Sequence, residues 1–580
     1  MPRSASHSRS KRLPADRPAS REHDPSPLLL ASGLTPEAVA ALLAPYGLAD
    51  LKRADANIQA MAGEPRSREV LAGILDELLR SVALTADPDQ ALNHWERFLQ
   101  AGINRTQLFE YLAGFPRMLH LLCAMFGNSD ALAQTLIRDP LLVYWLADEQ
   151  VLTKRPSRRA LDQILRAGLA NVATIGLKLE ALRRFRRREM LRIGVRDLLR
   201  SAPVPETTAV LSDLAQVLIQ AAYETVEADL VGQYGVPCHR DRHQRPVRSG
   251  FAVMAMGKLG GGELNFSSDV DLIYVYASDE GETHPNHQPS GLPVAPGMQR
   301  VPGHQQSIPN EEYFEYLARD LTKALADVTQ EGHVFRVDLR LRAEGSVGRL
   351  ARSVTGYEQY YGTRGQTWER LALLKAWPVA GNVAVGRAFL RKVKPFIFGT
   401  LPVNRKTDSA TELLRQVKAV KEMIDDKMAS RGQENRNVKL GTGGIREIEF
   451  LVQAVQVLCG GRKPGILDRS TLGALSRFKK FGLLAAATEA KLAKAYLFLR
   501  DVEHKLQMVH DLQTHALPDS DEELTRCAIR LGYPSRDRRA AMKRFAEDYR
   551  RHTGFVRRTF QGLFDRPQRS SLLKAALRKG

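Results

Sequence analysis

The stretch GKLGGGELNFSSDVDLIYVY, which begins at Gly257, sets Asp269 and Asp271 one residue apart between a glycine cluster and an apolar run. Residues two apart on a strand point to the same side, about 6.6 Å apart along the chain, so both carboxylates can grip cations held roughly 3.5 to 4 Å from each other. Hard oxygen donors of this kind suit Mg2+, which takes a few carboxylates together with substrate phosphates. Gly260, Gly261 and Gly262 carry no Cβ, so their backbone N–H groups are expected to approach a phosphate. Familiar motifs fail here. A P-loop has Ser or Thr after its Gly-Lys pair, whereas Leu259 follows Lys258. A dinucleotide fingerprint needs glycine where Asn265 stands, and Ile273 occupies a ligand position of an EF-hand loop. The plain alternative is a glycine turn ahead of an edge strand with solvated acids.

Two further segments bear on the same chemistry. In VFRVDLRLRAEG the residues alternate, with Phe335, Val337, Leu339 and Leu341 on one face and Arg336, Asp338, Arg340 and Arg342 on the other. Asp338 is then either a third acid for the metal or the ion-pair partner of its arginine neighbours. In KLGTGGIREIEFLVQAVQVL, the glycines Gly441, Gly443 and Gly444 open a helix. Its Ile445, Ile448, Val452 and Val455 face a core, and Arg446, Glu449 and Gln453 share a polar stripe. A glycine turn feeding a helix N-terminus can hold an anion. An ordinary turn with an amphipathic helix reads equally well.

The elements that must position these residues follow from periodicity. Helical steps dominate 28–245, strand-like runs interleaved with helices fill 246–400, and the helical period returns over 401–580. Residues 1–27 are Ser-, Pro- and Arg-rich and read as a disordered basic tail without the apolar core of a secretory signal. Residues 278–309 read as a flexible excursion. Its His284, His287 and His304 are taken as solvated, since Pro285 breaks any helix that would align the first two. No long internal repeat is present. The net charge of +20 favours phosphate-rich or acidic partners, although the run EALRRFRRREMLRIGVRDLLR is expected to be a solvated helix face rather than a nucleic-acid groove. Four scattered cysteines fit neither a disulfide framework nor a zinc module, which points to a reducing cytoplasm, and no window is apolar enough to span a membrane.

With these motifs in place, the sequence resembles the glutamine synthetase adenylyltransferase family of bifunctional adenylyl-transferring and adenylyl-removing enzymes. The resemblance rests on GKLGGGELNFSSDVDLIYVY, FRVDLRLRAEGSVGRL, TWERLALLKAWPVAG and KLGTGGIREIEF in that order, preceded by MFGNSDALAQTLIRDP, and covers about residues 100 to 560. It departs at Ala343, where the family has proline, and at Trp377, where it has arginine. The family resemblance implies a predominantly helical α+β fold, with a nucleotidyltransferase-type mixed β-sheet domain bracketed by N- and C-terminal helical bundles. GGIREIEF resembles the family's N-terminal half, which removes AMP from a tyrosine of glutamine synthetase by phosphorolysis. The transferring half is then expected beyond Gly580, so that the chain is either truncated or a separate protein.

The resemblance further implies that Asp269, Asp271 and Asp338 are catalytic and hold Mg2+. Gly257, Lys258, Gly260, Gly261, Gly262, Ser267, Ser268, Arg336, Arg340 and Arg342 would bind nucleotide or phosphate, and Glu263, Gly443, Gly444, Arg446 and Glu449 would line the site. Adenylylated glutamine synthetase, inorganic phosphate and an adenine nucleotide are the implied partners, with a PII signal protein and glutamine as effectors. Two other readings stay open: adenylyl transfer from ATP to glutamine synthetase, and a basic nucleic-acid-binding or regulatory protein with a vestigial site.

Overall fold

The computed structural model describes residues 23–284, 307–399, 409–430, 432–565, 568 and 571–577. Helices run from Pro27–Leu30 to Val204–Tyr234, and their starts carry the expected chemistry. Asp87 accepts from the Gln90 amide ahead of Pro88–Gln100, and Ser129 accepts from that of Leu132 ahead of Asp130–Arg138. Inside this unit Trp95 and Phe126 meet edge to face at 5.1 Å, both fully buried. Of the expected tail, residues 1–22 lie outside the described residues, and Pro27 already opens a helix.

The arginine-rich run overturns its expectation. It forms the helix Ile175–Leu198, and Arg183, Arg192, Arg196, Glu189 and Asp197 are all buried. Arg192 pairs with Glu189 and Arg183 with Glu180 within the helix, while tertiary packing brings Glu206 to Arg196 at 2.8 Å and Lys505 of the distant helix Ala486–Met508 to Asp197. A face read as solvated is an internal seam.

The helix Val204–Tyr234 ends at Gly235, and strands begin at once, inside the stretch expected to be helical. β1 (Val236–Arg240) lies between β2 (Pro246–Arg248) and β5 (Glu282–His284) in a three-stranded sheet. β5 therefore falls inside the expected excursion and carries His284, whereas 285–306, with His287 and His304, lie outside the described residues. The larger sheet runs β6 (Val337–Asp338), β4 (Val270–Tyr276), β3 (Phe251–Ala255), β8 (Trp377–Gly381), with β7 (Ala351–Ser353) also on β4. β3 pairs antiparallel with β4 and β8, while β6 and β7 pair parallel with β4, so the sheet is mixed.

Both faces of this sheet are covered, which is why DLIYVY reads as an unbroken apolar run. Leu272, Tyr274 and Tyr276 pack with Phe314 of the helix Asn310–Ala326, and Ile273 and Val275 pack with Phe389 of the helix Val383–Phe398. Asp271 belongs to the second face by the two-residue period. A separate core holds the C-terminal helices, among them Ile445–Cys459, Ala486–Met508 and Arg538–Phe564. The observed fold is thus a predominantly helical α+β fold with small mixed sheets. All four cysteines are buried and none forms a disulfide. Among the described residues no helix is long and apolar enough to cross a membrane.

Candidate active site

β4 and β6 run parallel with Asp271 opposite Asp338, so their side chains leave the sheet on one face, about one strand spacing of 4.8 Å apart. Two residues earlier, Asp269 lies just ahead of β4. The continuous strand expected over 335–342 stops at Asp338, because the Asp338 carboxylate accepts from the Arg340 amide at 2.8 Å and turns the chain away.

Each outer acid is engaged. Arg336 Nε donates to Asp269 at 2.8 Å and its fork also reaches the Ser267 carbonyl and Oγ. Arg340 Nε lies 3.0 Å from both oxygens of Asp338. Among the described residues no three His, Cys, Asp or Glu side chains converge closely enough to hold a metal as they stand. The expected three-acid cluster is therefore not assembled, and the reason is this pair of arginine clamps. Ser268 flanks Asp269 half-buried, and among the described residues its side chain makes no hydrogen bond.

Asp271 differs from both. Among the described residues its carboxylate has neither a hydrogen bond nor an ion pair. Burial, and next the charge of Asp338, push its carboxyl up to about 6, while Lys439, Arg446 and Lys258 oppose the rise. Arg340 holds Asp338 below the usual carboxylate range despite partial burial. A half-buried acid with no partner among the described residues, set beside a second acid, is a donor set that fits a hard divalent cation. Gly257 makes room for it: its φ is +52°, and a Cβ there would lie 2.2 Å from Asp271 Oδ2.

The glycine turn does not offer its amides to phosphate. The N–H groups of Gly260, Gly261 and Gly262 donate to the carbonyls of Met256, Gly257 and Leu259 at 2.9, 3.1 and 3.0 Å. Close packing explains Gly260 instead, since a Cβ there would come within 2.1 Å of the Lys375 carbonyl. Lys258 is likewise turned inward, its ammonium 2.7 Å from Glu503 and pushed down to about 7 by burial in spite of that partner. Arg342 is buried and spends its guanidinium on the carbonyls of Leu339, Ser346, Gly348 and Arg349, so it closes a loop rather than facing a phosphate.

The helix Ile445–Cys459 is formed as expected, but its N-terminus is closed to anions. Ile445 and Arg446 donate their amides to Val438 and Lys439 at 3.0 and 2.9 Å. Gly443, with φ +70°, packs where a Cβ would meet the Thr553 carbonyl at 2.1 Å, and Gly444 is enclosed by carbonyls of 438–441. The polar stripe of this helix faces inward. Glu449 lies 3.0 Å from Lys375 and 3.3 Å from Arg446, while Glu263 lies 3.1 Å from the same Lys375 and accepts from the Thr471 amide at 2.7 Å. Burial alone would raise the Glu449 carboxyl, yet Lys375 and then Arg446 hold it down at about 2.

Sequence reasoning missed Lys375, Lys439, Asn265, Arg500, Glu503 and His515. Asn265 and Arg500 bind each other and Glu503, which also holds His515 at 3.0 Å. One signal existed: Arg500, Glu503, His504 and Gln507 recur at the three- and four-residue steps of a buried face, a polar stripe where an apolar one is usual. Lys375, a lone cation inside LALLKAWPVAG, is a second. Trp377, the departure noted above, carries the Arg469 guanidinium 3.8 Å from its ring centroid, and Arg469 in turn donates to the Gly260 carbonyl at 2.5 Å.

Comparison with known proteins now bears on this geometry. The glutamate-ammonia ligase adenylyltransferase family profile matches residues 119–291 and 293–392, a span that includes Asp269, Asp271 and Asp338. The bifunctional glutamine synthetase adenylyltransferase/adenylyl-removing enzyme of Hahella chejuensis is 36% identical over 446 residues, covering 76% of this chain and 42% of that protein. The chain belongs to this adenylyltransferase family. The enzyme of the same name from Nitrosococcus oceani is 37% identical over 452 residues, 78% of this chain and 43% of its own, and that from Xanthomonas campestris is 41% identical over 354 residues, 61% and 34%. The chain thus spans less than half the length of these curated adenylyltransferase relatives. A second profile, GlnD PII-uridylyltransferase, matches residues 418–564, the C-terminal helices that pack against the acid pair's strand-and-turn unit.

Proposed function

We propose that the chain removes AMP from an adenylylated tyrosine of glutamine synthetase by Mg2+-dependent phosphorolysis, giving ADP and thereby regulating nitrogen assimilation. The observation that carries this reading is Asp271, half-buried and without a partner among the described residues, in register with Asp338 inside the segment shared with the adenylyltransferase family. Asp271 and Asp338, with Asp269, would hold Mg2+, which when bound neutralises charge on the transferred phosphoryl group. Asp338 exchanges Arg340 for that role, and Asp269 stays oriented by Arg336. In the reaction an oxygen of inorganic phosphate forms a bond to the phosphorus of the AMP group, the bond from that phosphorus to the tyrosine oxygen breaks, and the phenolate takes up a proton. The match of residues 418–564 to a PII-uridylyltransferase profile supports a regulatory input through the C-terminal helices, with a PII signal protein and glutamine as the effectors in this reading.

Incubation with adenylylated glutamine synthetase, Mg2+ and phosphate is expected to release ADP, and the variant Asp269→Ala, Asp271→Ala is expected to release none. ADP release that persists in the double variant rejects the site. Label passing instead from radioactive ATP to unmodified glutamine synthetase, with no ADP released from the modified form, would replace removal by transfer.

A further inference from the structure

The glycine turn that leads from β3 to Asp269 is held at both of its ends by one carboxylate of the C-terminal helices. At the start, Lys258 Nζ lies 2.7 Å from Glu503 Oε1; at the far end, Asn265 Nδ2 donates to Glu503 Oε2 at 2.5 Å. Glu503 belongs to the helix Ala486–Met508, 238 residues further along the chain than Asn265, and all three residues are buried. Two neighbours on the same helix complete the grip. Arg500 donates to the Glu263 carbonyl and to Asn265 Oδ1. His504 Nδ1 accepts the Phe266 amide at 3.4 Å, and its ring meets that of Phe266 edge to face at 5.9 Å. Ser267 follows, offering its carbonyl and Oγ to Arg336, whose Nε holds Asp269. Gly257, next to Lys258, is the residue whose missing Cβ leaves room for the Asp271 carboxylate. One buried carboxylate therefore fixes the approach to both acids. The strands do not require it, since β3 and β4 pair over Phe251–Ala255 and 272–276 by their own backbones. Burying these polar and charged groups costs desolvation that apolar packing would avoid, and what the network supplies is a fixed geometry for the turn.

Resting on the function proposed above, we infer that Glu503 and Asn265 are positioning residues of the reaction: their hydrogen bond sets where Asp269 and Asp271 stand for the cation, so that the C-terminal helices complete the active site. Neither side chain touches substrate or metal. The bond needs one amide and one carboxylate, and either position can carry either group. Exchanging them keeps the net charge and the side-chain shapes, with an oxygen at position 503 still facing Lys258.

Calorimetric titration of the whole chain with Mn2+, alongside kcat in the ADP assay, tests this role. Asn265→Asp sets two carboxylates against each other and should weaken Mn2+ binding and lower kcat, each about 10- to 100-fold, while the KM for adenylylated glutamine synthetase stays within about twofold. Adding Glu503→Gln exchanges the two groups and should bring both quantities back to within about threefold of wild type. Should Asn265→Asp not fold, Asn265→Ser, which removes the bond and leaves Arg500 Nε 3.4 Å from Glu503, reads the same two losses. Leu75→Ala, a cavity in the buried face of the helix Pro65–Ala83, should lower the melting temperature and leave Mn2+ affinity unchanged, which separates position from stability. A folded Asn265 variant with the Mn2+ affinity and kcat of wild type overturns this role and leaves the proposed function intact, and so does a loss that the exchange fails to repair. Mn2+ affinity that falls and recovers in this way, without ADP release from any form, upholds the role and sinks the proposed function. Wild type that neither binds Mn2+ nor releases ADP sinks both.

Discussion

Replacing Asp271 with asparagine should lower the proposed deadenylylation roughly 10³-fold, because several kcal/mol of transition-state charge neutralisation depend on the acid pair, and it should at the same time make the metal-free protein more stable. The second half of this expectation follows from the carboxyl's position at about 6. An unfolded aspartate ionises near 3.9, so the folded chain holds this proton more tightly than the unfolded chain does. Below about pH 4 the group is protonated in both states and has no effect. Between there and pH 6 ionisation increasingly penalises the fold, and above pH 6 the penalty is fully present at roughly 3 kcal/mol. Asparagine cannot ionise, so the variant should gain that amount at pH 8 and nothing at pH 4. Denaturant unfolding at both pH values measures the difference. Saturating Mg2+ should close the gap by stabilising only the wild type. A variant less stable than wild type at pH 8 would show that Asp271 has a structural partner.

The second large effect is expected at Lys375. Its ammonium is buried between Glu263, at the end of the glycine turn, and Glu449, on the helix Ile445–Cys459. Lys375→Met leaves two buried carboxylates facing each other, which should destabilise the chain by about 3–5 kcal/mol. The loss should be largest at neutral pH and shrink in acid, where the carboxylates take up protons. Adding Glu263→Gln and Glu449→Gln should restore much of the stability, since neutral amides can bond where the charges repelled. Chemical denaturation reads the stability, and limited proteolysis reads whether the C-terminal helices separate from the sheet. A single variant within about 1 kcal/mol of wild type would mean that the seam is solvated.

Local patterning made the elements legible. The switch from helical to strand period placed β3 and β4, the glycine turn fell between them, and the apolar stripe of Ile445, Ile448, Val452 and Val455 marked its helix. Register was not legible, because nothing local to Asp271 or Asp338 specifies that their strands are neighbours. Charge was misread for the same reason. The arginine-rich face of Ile175–Leu198 reads as solvated until Glu206, the partner of Arg196, and Lys505, the partner of Asp197, arrive from elsewhere in the chain. The glycines illustrate a different limit. A missing Cβ was taken as access for a phosphate, whereas at Gly260 it serves contact with the Lys375 carbonyl and at Gly257 space for a carboxylate. At 335–342 the alternation was genuine, but the Asp338 side chain competes with the strand by capping the Arg340 amide, and the ladder ends after two residues.

In the proposed function Asp271 and Asp338 share a cation once Asp338 leaves Arg340. Anomalous diffraction from crystals of the chain grown with Mn2+ as a stand-in for Mg2+ tests this directly. One peak is expected about 2.1 Å from an oxygen of each carboxylate, the distance of a hard divalent cation, with the Arg340 guanidinium displaced. A saturated crystal with no peak between the two acids, and Asp338 still clasped by Arg340, would contradict it.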